Sequence, residues 1–373
     1  MMKMKRMNQT HRLCMALLAS CSGNEEPVAE PEHVTQLSFR VTVDQSGTPT
    51  SRAASWKYEN TYEEGRTLDV VWDEKESYIS VFHCHVGTTT PTTTPQWGSY
   101  QGTLNSTTEA GETLKVEINN PTLTWNNSDG IAVLFPHKDY PTTVEDGAHT
   151  VTISSPESFT QSGKNTTHLK DYMYMYGTLP CGTFSDADIS TTMPLHHIPA
   201  VLCGWVGNTG SEPCIVKKVE AMASVGFPKT LTLTYTKDGD NLKVNLTPST
   251  TDLIRTLPVT IKDGGTDTDW NKLAPGESFD TAGKLMAYAV CLPTATVQDY
   301  RFRVTATDAD GNNEKVYISN AIPSTKLNTG GQLKSGYYYT FVLELNDDKL
   351  TANVAGAEIS GWKPENGGQA NAN

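Results

Sequence analysis

The sequence predicts an all-β fold, built as two β-sandwich domains in tandem, and three observations support that prediction. Residues that favour strands, above all Thr, Val, Tyr and Ile, are abundant, and blocks of helix-forming residues are nearly absent. Short apolar stretches with a period of two recur along the chain, separated by turns rich in Gly, Pro, Asn and Asp. At 373 residues the chain is long enough for two domains, each with its own core.

The charge of the chain excludes one class of partner. The formal net charge is −13 and the isoelectric point is about 5.1, whereas a nucleic-acid-binding protein needs a basic face. We therefore expect no nucleic acid among the partners. No stretch approaches the roughly 18 consecutive apolar residues of a membrane-spanning helix, so the sequence predicts no such helix.

The first 20 residues have the layout of a secretory signal peptide. Four basic residues precede a short apolar run over residues 13–19, and such a segment is removed from the mature protein. Residues 18–21 (LASC) resemble a bacterial lipoprotein box, which makes Cys21 the predicted lipidation site and the link to outer-membrane lipid. The alternative is an ordinary signal that ends near a cysteine. Residues 21–36 are acidic and contain prolines, which predicts a flexible spacer.

Residues 37–190 are predicted to form the N-terminal sandwich, and residues 191–373 the C-terminal sandwich with a polar tail. The first strand alternates cleanly, with Leu37, Phe39, Val41 and Val43 on one face. Further strands are expected at residues 67–72, 77–85, 113–118, 130–135, 148–153, 172–176, 200–205, 214–223 and 285–292. Turn residues between alternating runs predict three hairpins, over residues 231–246, 300–319 and 337–359.

The cysteines do not form a disulfide framework. After Cys14 and Cys21, five remain: Cys84, Cys181, Cys203, Cys214 and Cys291. An odd number leaves at least one free thiol, and the wide spacings fit neither a disulfide scaffold nor a zinc pattern. Cys203 and Cys214 could pair across a short loop, but buried free thiols are the favoured interpretation.

Signatures of catalysis are missing, so we expect no enzyme, no catalytic residue and no cofactor. One strand places His83 and His85 on the same face, with Cys84 opposite, which is a start for a metal site. A third ligand would have to come from elsewhere, and among the other histidines of note, at positions 137, 196 and 197, nothing brings one near. The sequence therefore predicts no metal site. Residues 308–314 (DADGNNE) predict a turn, because their spacing does not fit a calcium loop.

In order and spacing, six short blocks resemble the fimbrillin family of Bacteroidales bacteria, whose members are subunits of type V fimbriae. The lipoprotein box is followed by residues 168–174 (HLKDYMY) and 192–197 (TMPLHH), in which Leu195 stands where the family usually has an aromatic residue. The other blocks are residues 285–293 (LMAYAVCLP), 336–341 (GYYYTF) and 359–362 (ISGW).

The resemblance implies two transthyretin-like β-sandwich domains, export as a lipoprotein, and trimming by a trypsin-like protease. In fimbrial subunits of this family the cut removes the first strand, and a strand donated by a neighbouring subunit fills the groove by β-augmentation. Carried onto this chain, the resemblance makes Leu37, Phe39, Val41 and Val43 the placeholder strand. The Arg52–Ala53 bond, in a loop of small residues, becomes the candidate cleavage site.

The predicted function is therefore a structural subunit, or a tip or accessory adhesin, of a cell-surface fimbria. The polar tail after Trp362 holds no alternating strand, so a donated C-terminal strand would have to come from residues 350–359. The alternative is an outer-membrane lipoprotein that does not polymerise, acting as an anchor or binding a glycan or host ligand. Expected partners are other subunits, outer-membrane lipid through Cys21, the processing protease, and a ligand on a host or bacterial surface.

Overall fold

A computed structural model describes residues 32–33, 36–43, 78–85, 95–106, 113–119, 124–125, 129–164, 166–179, 188–264, 269–327 and 330–358. Strands account for 64% of the structure and helices for 4%, which confirms the all-β prediction. Within the described ranges, no helix is long and apolar enough to cross a membrane.

The described strands, in chain order, are β1 (Glu32–His33), β2 (Gln36–Val43), β3 (Tyr78–His85), β4 (Gln96–Ser106), β5 (Thr113–Asn119), β6 (Thr124–Trp125), β7 (Gly130–Phe135), β8 (Thr142–Glu145), β9 (Ala148–Ser154), β10 (Phe159–Ser162), β11 (Met175–Leu179), β12 (Asp188–His197), β13 (Ala200–Asn208), β14 (Cys214–Pro228), β15 (Thr230–Asp238), β16 (Asn241–Pro248), β17 (Leu253–Lys262), β18 (Lys272–Leu273), β19 (Lys284–Cys291), β20 (Tyr300–Asp308), β21 (Lys315–Ile318), β22 (Tyr338–Leu345) and β23 (Leu350–Glu358). Two short 3-10 helices are η1 (Thr167–Tyr172) and η2 (Ser324–Lys326).

Strands from the N-terminal half close into a barrel, in the order β11-β12-β2-β5-β4-β3-β7, with β7 returning to β11. Because side chains alternate along each strand, every second residue points inward. The inward row forms one apolar core: Leu37, Phe39, Val41, Ile79, Val81, Leu104, Leu114, Val116, Ile118, Ile131, Val133, Phe135, Met175, Leu179, Met193 and Leu195. The barrel interior is therefore filled by side chains.

The C-terminal half forms a sandwich of two sheets. One sheet has the order β10-β17-β14-β20-β21, with β18 beside β14, and the other has the order β19-β13-β22-β23. Strand β13 is buried along its whole length and runs parallel to β22 and antiparallel to β19. Its near-continuous apolar sequence is typical of a strand covered on both faces. The rings of Phe302 on one sheet and Phe341 on the other lie 4.7 Å apart in the core between them.

A third layer joins the two halves of the chain. The four-stranded sheet β16-β15-β9-β8 packs on the outward face of β3 and β7. Phe82 and Leu134 meet Tyr235 in this layer, and the Tyr235 hydroxyl donates to the Val133 carbonyl at 3.4 Å. Strand β12 also spans residue 190, and β10 pairs with β17. The division at residue 190 stays a prediction, and hydrogen-bonded pairing crosses it.

Most sequence-predicted strands have counterparts, including all three hairpins. The strand predicted at residues 172–176 is wrong in its start: η1 ends at Tyr172 and β11 begins only at Met175. Strand β4 was not predicted, because Gly102 interrupts its inward apolar row. A Cβ there would lie 2.6 Å from a Val116 methyl, so this rung has room only for glycine. The strand predicted at residues 67–72 lies outside the described residues.

The described residues also test two smaller predictions, one on the cysteines and one on the turn at residues 308–314. Cys84, Cys203, Cys214 and Cys291 are not disulfide-bonded, and all but the half-buried Cys214 are buried, which confirms the thiol interpretation over a Cys203–Cys214 disulfide; Cys181 lies outside the described residues. The segment after β20 is a turn, as predicted. The Asp308 carboxylate accepts the backbone N–H groups of Asp310 and Asn312 at 3.1 and 2.8 Å, and these bonds lower its pKa.

Candidate functional site

The predicted placeholder strand, β2, lies within the barrel sheet and not at an edge. It runs antiparallel to β5 on one side, with Phe39 opposite Val116, and parallel to β12 on the other, with Val41 opposite Met193. The parallel contact joins two strands that are far apart in the sequence. Strand β2 therefore completes the barrel between β5 and β12.

The apolar face of β2 fills the barrel core. Leu37 is 1% exposed, and Phe39 and Val41 are fully buried. Their cross-strand partners on β5 are Ile118, Val116 and Leu114, which belong to the same core. The fourth predicted residue, Val43, pairs through its backbone with Leu195. At about 2 kcal/mol for each of the three buried side chains, the strand contributes roughly 6 kcal/mol of apolar burial.

Arg40 lies on the opposite face of β2. Its backbone faces Lys115 of β5 and Thr192 of β12, so both sides of the peptide are occupied by neighbouring strands. A protease needs an extended and accessible backbone, which a central strand does not provide. Arg40, paired on both sides, does not offer such a backbone to a trypsin-like protease.

The predicted lipidation and cleavage residues lie outside the described residues. Cys21 precedes β1, and Arg52 and Ala53 belong to residues 44–77, which connect β2 to β3. Strands β2 and β3 are separated in the barrel by β5 and β4. A cut within residues 44–77 would therefore separate β2 from the rest of the barrel without breaking any described strand.

The last described strand, β23, occupies a different position. It lies at the end of its sheet and pairs with β22. On its other side, the Asn320 side chain makes the two backbone hydrogen bonds that a neighbouring strand would otherwise make. The Asn320 Oδ1 accepts the Ala352 N–H at 3.0 Å, and its Nδ2 donates to the Ala352 carbonyl at 3.2 Å. Leu350 and Ala352 are buried in the sandwich core.

A second constellation lies near one end of β3. His83 and His85 follow Val81 in the inward row, and Asp129 comes directly before the facing strand β7. The Nε2 of His83 lies 2.9 Å from Asp129 Oδ2, and the Nδ1 of His85 lies 3.0 Å from Asp129 Oδ1. Tyr100 is close enough that burial and the Asp129 charge both raise its pKa.

Sequence reasoning missed Asp129. The third polar group comes from neither His137, which contacts Ser80 Oγ at 2.9 Å, nor His196 or His197 on β12. The pairing of β3 with β7 would have revealed Asp129. Gly130 faces Cys84 in this pair, so the residue before Gly130 lies beside the two histidines. Without the pairing of β3 with β7, an aspartate 44 residues after His85 carries no sign of proximity.

No family model matches the chain, and no curated protein matches it. Among solved structures, it is similar to a putative cell adhesion protein from Bacteroides uniformis, with a TM-score of 0.48 and 12% identity, over 88% of this chain and 98% of that one. A putative cell adhesion protein from Bacteroides ovatus has a TM-score of 0.44 and 13% identity, over 89% and 98%.

The tip fimbrial protein Mfa3 from Porphyromonas gingivalis, with a C-terminal truncation, has a TM-score of 0.32 and 11% identity, over 86% of this chain and 98% of that one. These names agree with the fimbrillin resemblance of the sequence. At these scores and identities the likeness carries no argument on function, which has to come from the geometry of this chain.

Proposed function

We propose that this protein is a structural subunit, or a tip or accessory adhesin, of a cell-surface fimbria that assembles by strand exchange. The observation that carries the proposal is the position of β2. It is the first long strand of the described chain, it lies between two strands that are distant in sequence, and Phe39 at its centre is fully buried.

The physical basis of the exchange is β-augmentation. Removal of β2 would leave the facing edges of β5 and β12 unpaired, and would open the core positions of Leu37, Phe39 and Val41. Such an edge is a template for another strand. A strand from a neighbouring subunit with apolar residues at alternate positions would restore both the ladder and the core. In the precursor, β2 acts as the placeholder.

Processing follows from the same arrangement. A trypsin-like protease would cut the Arg52–Ala53 bond after export of the precursor as a lipoprotein lipidated at Cys21. Arg40, the alternative arginine near this strand, is held between two neighbouring strands. The cut would release β2 together with the lipidated segment that precedes it, and the trimmed chain would join the fimbria through its opened barrel.

The state of β23 supports a terminal or accessory position over a repeating stalk position. To act as a donor, β23 would have to leave β22, withdraw Leu350 and Ala352 from the core, and break two bonds to Asn320. A subunit that accepts a donated strand but does not donate its own last strand fits a position at the tip of the fimbria. The alternative function, a non-polymerising lipoprotein or anchor, uses the same held β23 together with an uncut β2.

The first test is limited trypsin digestion of the purified full chain, followed by sequencing of the new N-terminus. We expect a cut after Arg52 and a body that resists further digestion. After inhibition of the trypsin, which would otherwise cut the free peptide after its Arg40, a fluorescent peptide with the sequence of residues 36–43 should bind the cut protein in exchange for β2 and should not bind the uncut protein. A peptide carrying Phe39→Glu is the matched control, because a charge does not fit the core position.

Two variants make the digestion specific. Arg52→Gln should abolish both the cut and the peptide uptake, whereas Arg66→Gln, in the same connecting segment, should leave both unchanged. Digestion throughout the body, or a cut protein that takes up the two peptides equally, would contradict the strand-exchange proposal. Mass spectrometry of protein extracted from cell surfaces distinguishes the alternative: an N-terminus at Ala53 supports assembly, and an intact lipidated Cys21 terminus supports an anchor or simple lipoprotein.

A further inference from the structure

His83, His85 and Asp129 bring three metal-binding side chains to one point. Their donor atoms, two imidazole nitrogens and a carboxylate oxygen, all lie within 4.8 Å of one another. Around a tetrahedral zinc ion with bonds of about 2.05 Å, neighbouring donor atoms are ~3.3 Å apart. The Nε2 of His83 and the Nδ1 of His85 lie 2.9 and 3.2 Å from the same oxygen, Asp129 Oδ2, so these two distances need to open only slightly to reach that value.

We propose that these three residues bind one divalent transition-metal ion, with Zn²⁺ as the ion to test. Imidazole is a preferred ligand of Zn²⁺, Cu²⁺, Ni²⁺ and Fe²⁺, whereas Ca²⁺ and Mg²⁺ prefer oxygen donors throughout. Two imidazoles and one carboxylate are also the number and kind of protein ligands found in zinc sites that leave the fourth position open.

The cluster is enclosed on one side and open on the other. The side chain of Asp129 is fully buried and that of His83 is 5% exposed, whereas that of His85 is 28% exposed. An ion could enter past His85 and keep a water molecule or an external ligand on that side. The burial of Asp129 and His83 distinguishes this site from a cluster of surface carboxylates, whose side chains are hydrated and mobile.

The backbone holds the ligands in place before any ion binds. His83 and His85 project from the same face of β3, and Asp129 precedes β7, which is paired with β3 through His83–Ile131 and Cys84–Gly130. Two hydrogen-bonded strands leave little conformational entropy to lose on binding, which favours affinity.

Charge provides a second, independent argument. A fully buried carboxylate carries a large desolvation cost unless positive charge or hydrogen-bond donors face it. Without an ion, the two imidazoles contact the Asp129 carboxylate directly. A divalent cation between the three groups would neutralise the carboxylate more completely, and each imidazole would offer its lone pair to the metal.

The site does not depend on the proposed strand exchange. Its ligands lie on β3 and beside β7, and neither strand pairs with β2. A metal would bind before and after removal of β2, so metal binding and strand exchange can fail separately. Binding would join β3 to the start of β7 at one end of the barrel.

The test is calorimetric titration of Zn²⁺ into the full chain, purified without a polyhistidine tag and stripped with a chelator. We expect one Zn²⁺ per chain and a rise in Tm that the chelator reverses. Co²⁺ in place of Zn²⁺ should give visible absorption bands typical of nitrogen and oxygen ligands. His85→Gln and Asp129→Asn should each weaken Zn²⁺ binding at least about tenfold, since the loss of even an indirect partner of a metal ligand costs that much.

The control variants are His196→Gln and Asp139→Asn, which remove an exposed imidazole and an exposed carboxylate elsewhere. Both should bind Zn²⁺ like the parent protein. Far-UV circular dichroism in chelator checks that each variant is folded. Because His85 is partly exposed and Asp129 is fully buried, His85→Gln should disturb the fold less than Asp129→Asn. Absence of stoichiometric binding, or equal binding by the parent, His85→Gln and Asp129→Asn proteins, would overturn the proposal.

Discussion

The first long strand of the described chain, β2, and its last strand, β23, occupy opposite kinds of position in their sheets. Strand β2 lies between two neighbours in a closed barrel and fills its core with Leu37, Phe39 and Val41. Strand β23 lies at the end of an open sheet, and the core side chains it contributes are Leu350 and the small Ala352. The N-terminal strand therefore contributes far more buried apolar surface than its C-terminal counterpart.

This difference shows where exchange is energetically useful. A central strand with large buried side chains leaves a deep groove when it is removed, and the groove strongly favours a replacement. Removal of β23 would leave a new edge and take Leu350 and Ala352 out of the core, which is a smaller loss than that of Leu37, Phe39 and Val41. Under the proposed function, the barrel is the part of the chain that would accept a donated strand. The sandwich keeps its edge strand through β22 and Asn320.

The largest expected effect is that of Phe39→Glu. The substitution empties a central core position and places a charge there, so the free energy of unfolding should fall by at least about 4 kcal/mol in a urea titration. The matched substitution on β23, Val354→Glu, should cost only about 1 kcal/mol, because that side chain is partly exposed.

Arg40→Glu is the control on the outward face of β2. It lies opposite Lys115 and should change stability by less than about 1 kcal/mol. Equal losses in the free energy of unfolding for Phe39→Glu and Val354→Glu would contradict the difference that we expect between β2 and β23.

Acid should lower the free energy of unfolding through His149 of β9, a strand of the sheet that packs on the outward face of the barrel. This ring packs 4.6 Å from Phe82 and 5.4 Å from Trp97, neither of its nitrogens has a hydrogen-bond partner among the described residues, and burial lowers its pKa to about 4. The unfolded chain takes up the proton near pH 6.5, so the stability of the fold should fall as the pH drops from about 6.5 to about 4. The expected contribution is about 3 kcal/mol.

His149→Phe keeps an aromatic ring in the layer and removes the site of protonation. Urea titrations at a series of pH values should therefore show a flatter pH dependence for this variant than for the parent. Val144→Ala, on the exposed residue opposite His149 in β8, is the control and should leave the pH dependence unchanged. An unchanged slope in His149→Phe would show that the ring is not held neutral by the fold.

Of the three main substitutions, Phe39→Glu, His149→Phe and Asn320→Ala, the smallest effect is expected for Asn320→Ala at the edge of the sandwich. Loss of its two bonds to Ala352 should cost about 1–2 kcal/mol and increase hydrogen exchange in β23. Exchange in β2 should not change. If β2 and β23 both became less protected, the two strands would not be independent.

Much of this fold is visible in the sequence because it is local. The alternation of Leu37, Phe39 and Val41 predicts their shared buried face, and the turn residues predict the three hairpins. The failures have physical causes. Gly102 has no side chain to signal an inward position on β4, and the run at residues 172–176 has a strand pattern but begins at the end of a 3-10 helix.

What the sequence by itself determined is which residues face a core and where turns fall, because both depend on neighbours a few positions away. Only the tertiary structure decided that β2 lies between β5 and β12, and that Asp129 lies against His83 and His85. Both depend on which strands pair across long stretches of chain, and a period of two is the same for every possible partner. The position of β2 and the cluster of His83, His85 and Asp129 therefore follow from strand pairing, which the alternating pattern alone does not determine.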